Sequence, residues 1–140
     1  MKIPNKIQIG VYKNLMMIFN VEKKTGKIMY NKNNIFFKIL QKEIPSKVVY
    51  EDEVCLAFYD INPTAKIHVL VITKGCYTNF ADFVQNESAE NVQKFFKSVA
   101  HVAEKLGVAE SGYRILSNTG SDAGQEVDHF HVHILGGEKL

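Results

Sequence analysis

Residues 129–134 read His-Phe-His-Val-His-Ile. In an extended strand alternate side chains share a face. Three imidazoles therefore point one way, and Phe130, Val132 and Ile134 point the other. The apolar side calls for a core. The imidazole side is not explained by packing, because buried polar rings need partners. The segment therefore predicts a sheet whose last strand, Val127 to Leu135, carries structure on one face and chemistry on the other, ended by Gly136-Gly137.

The rest of the chain supplies that sheet. Lys47 to Tyr50 and Val54 to Tyr59 read as strands joined by an acidic turn, Glu51-Asp52-Glu53, expected to be solvated. Ile67 to Thr73 is nearly continuous in apolar residues, which predicts a strand buried on both faces with His68 inside it. Tyr113 to Ser117 is a further strand, followed by a polar loop with two glycines, Asn118 to Gln125. A short helix is expected after Asn33-Asn34, with Ile35, Phe36, Ile39 and Leu40 at helical spacing and Pro45 as its stop. A long helix is expected from about Glu87 to Leu106, where Val92, Phe95, Phe96, Val99, Val102, Ala103 and Leu106 recur at three- and four-residue steps. Strands flank the long helix instead of alternating with helices. The fold class is thus α+β, with an antiparallel sheet of about five strands, one long helix and one short one.

The chain has 140 residues, enough for one domain with a real core. Its net charge of +2 is a cancellation. Residues 1–33 hold seven lysines and one acid, a net +6, and the other 107 residues hold 10 basic and 14 acidic side chains, a net −4. The domain is accordingly read as residues 34–140, preceded by a basic extension over 1–33. Ile7 to Val21, the Lys24-Thr25-Gly26 turn and Ile28 to Tyr30 suggest a hairpin within that extension. The mild overall charge gives no argument for nucleic acid. No apolar run has the ~18 residues of a membrane span. Two cysteines make no disulfide framework, so a cytoplasmic setting is expected.

Two chemistries suit the imidazole face. Two histidines at i and i+2 can grip one zinc ion. The outer pair has Cα atoms ~13 Å apart at ~3.3 Å per residue, so a metal site needs a ligand from elsewhere, with His68 the main candidate. Alternatively, a neutral imidazole attacks an electrophile and its neighbour protonates the leaving group. The glycine loop upstream offers backbone N–H groups to phosphate oxygens.

The run Gln125-Glu126-Val127-Asp128-His129-Phe130-His131-Val132-His133 resembles the histidine triad (HIT) motif. The stretches Ile35 to Ile39, Glu43-Ile44-Pro45, Val49 to Asp52, Leu56 to Pro63, His68 to Ile72, Gly112 to Arg114, Asn118 and Gly120 to Gln125 are similar to the Hint branch of that family. The resemblance spans residues 34–137. It implies a homodimeric hydrolase, with the long helix and a strand at the interface. The implied substrates are adenosine 5′-phosphoramidates and aminoacyl adenylates, cleaved to AMP without a metal or other cofactor. It implies His131 as nucleophile, His133 and His68 on the phosphate and leaving-group side, and His129 behind the nucleophile. It places Asn118, Gln125, Glu126 and Val127 at the α-phosphate and Asp60 at the ribose. Ile35, Phe36, Ile39, Ile44, Phe58 and Ile61 would wall the base. On the residues alone, Asp60 also reads as a turn cap before Asn62-Pro63. Alternatives are a diadenosine polyphosphate hydrolase of the same superfamily and a nucleotide-binding scaffold without turnover. Two residues depart from the pattern: Asp128 stands in place of an aromatic, and Thr73 in place of a proline.

Overall fold

The computed structural model describes residues 29–140. The expected hairpin lies outside them except for Met29 and Tyr30, which belong to no strand. In chain order the elements are α1 (Ile35–Leu40), β1 (Val48–Glu51), β2 (Cys55–Tyr59), β3 (Ile67–Thr73), α2 (Phe80–Asn86), α3 (Ala89–Lys105), β4 (Tyr113–Leu116), a 3-10 turn (Ser121–Ala123) and β5 (His131–Gly136). The five strands form one antiparallel sheet in the order β1-β2-β3-β5-β4.

Alternation within the strands divides the sheet into two faces. Cys55, Ala57, Val69, Val71, Val132 and Ile134 point to one side, where α3 buries Phe95, Val99, Val102 and Ala103 against them. Phe130 joins that core, stacked on Phe83 of α2 at 4.9 Å between ring centroids. Leu56, Phe58, Leu70 and Ile72 point to the other side and meet Phe36 and Ile39 of α1. β3 is buried on both faces, as its apolar run requires. The histidines of β5 share the α1 face. A short helix leaves that face only partly covered, and the uncovered part is a cavity.

Three local features differ from expectation. The expected long helix begins at Ala89, because Glu87 is extended (φ −88°, ψ 155°) and Ser88 caps the Asn91 amide. The preceding turns form α2, a second short helix, capped by Asn79 and anchored by buried Phe83. β5 begins at His131 and not at Val127. Residues ahead of it bend off the sheet, and the Phe130 N–H donates to the Tyr77 carbonyl at 2.7 Å. The acidic turn is not uniformly solvated. One Asp52 oxygen accepts the Val54 and Cys55 amides at 2.8 and 2.9 Å, and the other accepts the Ser98 hydroxyl at 2.6 Å. Burial opposes its ionisation, but the Ser98 and backbone donors outweigh that and hold its carboxyl below the ordinary value.

Candidate active site

The sequence-predicted residues converge where β3, β5, the end of β2 and the loop after β4 meet. Phe36, Asp60, His68, Asn118, Gln125, Glu126, Val127, His131 and His133 line one cavity of about 420 Å³, together with Asn62, Thr64, Leu70 and Gly124. The others lie around it. His129 is fully buried. Phe58 is buried beneath Phe36, with ring centroids 5.7 Å apart. Ile39 and Ile44 line a separate hollow of about 210 Å³ with Pro45 and Leu56. Ile61 is 85% exposed and borders an adjoining cleft that shares Asp60 and His68 with the main cavity. Ile35 sits in a shallow groove beside Glu126 and Asp128.

Hydrogen-bond partners fix where each imidazole carries its proton. The Nδ1 of His131 lies 2.6 Å from the carbonyl oxygen of His129. A carbonyl only accepts, so Nδ1 holds the hydrogen and Nε2 keeps a free lone pair. The Thr64 backbone N–H donates to the Nδ1 of His68 at 3.0 Å. The proton of His68 is therefore on Nε2, which lies 2.9 Å from the Nδ1 of His133 and 3.3 Å from Asp60 Oδ2. The Nδ1 of His133 then accepts, and its own proton sits on Nε2. That atom is buried with no hydrogen-bond partner among the described residues. The site thus pairs a bare nitrogen on His131 with an uncommitted N–H on His133, on rings 5.1 Å apart.

Burial depresses the basicity of the whole triad. His131 is lowered by burial, partly offset by the His129 carbonyl and Asp60. His129 is lowered to about 4 by burial, against the raising effect of the Thr73 carbonyl and with a smaller lowering by His131. His133 is lowered to about 4 by burial and by His131 and His68 beside it. All three rings are neutral at pH 7.

The loop is held by its own side chains. Gln125 Nε2 donates to the Thr78 and Val127 carbonyls at 2.7 and 3.0 Å, while its Oε1 accepts the Gly120 amide at 2.9 Å. Gln125 is therefore committed to closing the loop, with Gly120 and Gly124 at positive φ where a side chain would be strained. Asp60 does cap its turn, accepting the Asn62 amide at 2.8 Å, and the same carboxylate reaches His68. Asp60, His68 and His133 place three ligand-type atoms within 4.8 Å of one another. Sequence reasoning missed Thr64, which sets the His68 tautomer from an unremarkable position after Pro63. It also missed Tyr30, whose hydroxyl lies 2.5 Å from His129 Nδ1 across 99 residues of chain.

The family model for the HIT domain matches residues 41–140. The chain belongs to the histidine triad family. An uncharacterised HIT-like protein of Azospirillum brasilense is 50% identical over 111 residues, which cover 79% of this chain and 91% of that protein. A purine nucleoside phosphoramidase of Escherichia coli is 42% identical over 106 residues, covering 76% of this chain and 88% of that protein. The crystal structure of a HIT family hydrolase from Legionella pneumophila superposes with a TM-score of 0.72 at 41% identity, covering 77% of this chain and 96% of that one. Within this HIT protein the backbone carbonyl of Thr73, which a proline there would also offer, accepts His129 Nε2–H at 2.8 Å. What threonine adds is a hydroxyl that donates to the Gly75 carbonyl at 2.9 Å and lies 3.2 Å from the same nitrogen.

Proposed function

We propose that this HIT hydrolase is a purine nucleoside phosphoramidase that releases AMP from adenosine 5′-phosphoramidates or aminoacyl adenylates. The observation that carries the reading is the His131–His129 contact, which leaves His131 Nε2 unprotonated in a cavity with His133 Nε2–H. His131 Nε2 attacks the α-phosphorus and forms a P–N bond. The bond from phosphorus to the leaving group breaks while His133 Nε2–H hydrogen-bonds to the departing atom. A departing amine takes its proton from water, whose hydroxide is then available for the second step, and a departing carboxylate needs none. Water then cleaves the nucleotidyl-histidine to give AMP and free His131. The name of the E. coli relative supports this substrate class.

The cavity lining supports the following substrate contacts. The Gly124 and Gln125 amides are used inside the loop, donating to the Ser121 and Gly120 carbonyls. The α-phosphate donors are accordingly placed at the Glu126 and Val127 backbone, with Asn118 beside them and Gln125 acting through the loop. Asp60 accepts from the ribose hydroxyls, and Phe36 with its aliphatic neighbours faces the base. The reaction so written needs no metal ion.

The homodimer is proposed through β4. It is an edge strand of the sheet. Ile115 on it and nearby Phe80 are half exposed and border an apolar groove of about 330 Å³. An uncovered apolar edge of this kind favours pairing with a second copy. Among the described residues no helix is long and apolar enough to cross a membrane, and both cysteines are free. The reading proposed is a cytoplasmic enzyme acting on small nucleotides, with neither nucleic acid nor membrane as partner.

The test is AMP release from adenosine 5′-phosphoramidate, together with mass spectrometry of the quenched enzyme. A nucleotidyl adduct on His131, lost with activity in His131→Ala, is the expected result. Adduct formation in His131→Ala would overturn the assignment of the nucleophile. Faster turnover of diadenosine polyphosphates would move the enzyme to the other branch. Tight AMP binding with no product from any substrate would make it a scaffold.

A further inference from the structure

The nucleophile's tautomer depends on the His129 carbonyl, and His129 is held in turn by two groups. Its Nε2–H donates to the Thr73 carbonyl at 2.8 Å, so its Nδ1 must accept. The acceptor is filled by the Tyr30 hydroxyl at 2.5 Å. His129 is fully buried, so water offers no substitute donor at the ring. Tyr30 also presents its ring edge-on to the His129 ring, 5.5 Å away at 67°, and packs edge-on against Phe37 of α1. Tyr30 precedes the residues that match the HIT domain.

We propose that Tyr30 is a positioning residue for the reaction, reaching from the segment before α1 to lock the first triad histidine so that the backbone carbonyl of that histidine holds the nucleophile's Nδ1–H. Without the hydroxyl, the Nδ1 of His129 is a buried acceptor with no donor. The ring then turns or shifts, the 129–131 backbone loosens, and the His131 Nδ1–H bond lengthens. The other tautomer of His131 gains population, and it carries a hydrogen on the nitrogen that has to attack. Burial pushes the Tyr30 phenol up to about 12, which keeps it a donor throughout the physiological range.

The kinetic part of this inference rests on the proposed phosphoramidase reaction, but the tautomer part does not. Long-range 15N–1H spectra of the imidazoles in the full chain report both. In the wild type His129 should show the Nε2–H form and His131 the Nδ1–H form. The opposite form at either ring would overturn the proposal without any variant. In Tyr30→Phe, His131 should become a mixture of tautomers. The rate of adduct formation from adenosine 5′-phosphoramidate should fall about tenfold, with KM within twofold of wild type. A Tyr30→Phe protein that loses only thermal stability, with the His131 tautomer and the rate unchanged, would make Tyr30 a structural anchor and end the proposal. A wild type that shows the expected tautomers but forms no adduct would instead count against the phosphoramidase reading, leaving the His131 spectrum of Tyr30→Phe to decide the role of Tyr30.

Discussion

The Nε2 of His68 lies 2.9 Å from the Nδ1 of His133. This contact joins β3 to β5 and, because Thr64 fills the other nitrogen of His68, it directs the His133 proton to the nitrogen left open in the cavity. His68 therefore acts on the reaction through His133. His68→Ala should lower kcat about tenfold, below the 10²–10⁴-fold typical of a group that transfers the proton itself. His68→Gln retains an N–H donor at similar reach and should recover part of the loss. Steady-state rates on one phosphoramidate decide it, and equal losses in the two variants would assign the effect to packing.

The pH profile should have one limb. His131 must be neutral to attack, and burial holds its pKa below 6.5. The kcat/KM value should stay flat from about pH 9 down to 6.5 and fall only at lower pH. The neutral His133 N–H that holds the leaving group does not titrate in this range, so it adds no alkaline limb. A limb above pH 6.5 would mean that the nucleophile is more basic than its burial allows.

Stability should fall in the same acid range. The unfolded chain protonates His129 near 6.5, whereas the folded protein does so only near 4. The contribution is fully present above pH 6.5, is lost as pH falls toward 4, and levels off below that. His129 alone accounts for about 3 kcal/mol, taking about 1.4 kcal/mol per pH unit. Urea unfolding at pH 7, 5.5 and 4.5 measures it, and His129→Gln should flatten the dependence.

Lys42 comes just after α1 with φ 63°, and the amide of the next residue, Glu43, bonds back to the Lys38 carbonyl at 2.9 Å. This left-handed position after a helix suits glycine, and a side chain there costs about 1 kcal/mol. Lys42→Gly should raise Tm by a few degrees and leave kcat within twofold. A lower Tm would show that the lost backbone freedom of glycine outweighs the relieved strain.

Residues 1–28 should be dispensable, and the boundary is sharp. A chain starting at Met29 keeps the Tyr30 hydroxyl on His129 and should match the full chain in rate. A chain starting at Asn31 should behave as Tyr30→Phe. Equal rates for the two truncations would place the functional boundary elsewhere.

Legibility in the sequence depended on how local the deciding interactions are. β3 was readable end to end because its apolar run is buried on both faces, and the triad was readable because strand alternation is a local rule. The start of β5 was not, since His129 and Phe130 continue the alternation of His131 to Ile134 upstream, whereas the Phe130 amide bonds to the Tyr77 carbonyl instead of a sheet partner. α2 was hidden because only two extended residues, Glu87 and Ser88, separate it from α3. The resemblance put Gln125 at the α-phosphate, but that its side chain closes the loop through Gly120, Thr78 and Val127 depends on partners no sequence rule names. Tyr30 offered no periodicity at all, since its partner is set by tertiary folding alone.

The two-faced strand β5 makes folding and turnover inseparable. A slip of one residue against β3 would send His131 and His133 into the α3 core and turn Val132 and Ile134 toward the cavity. Each displaced imidazole would lose its hydrogen bonds in an apolar interior, so the misaligned chain has no stable half-way form to occupy. Catalytic competence is in this sense a proofreading signal for strand alignment. Every molecule that turns over substrate has necessarily paired Val71 with Val132.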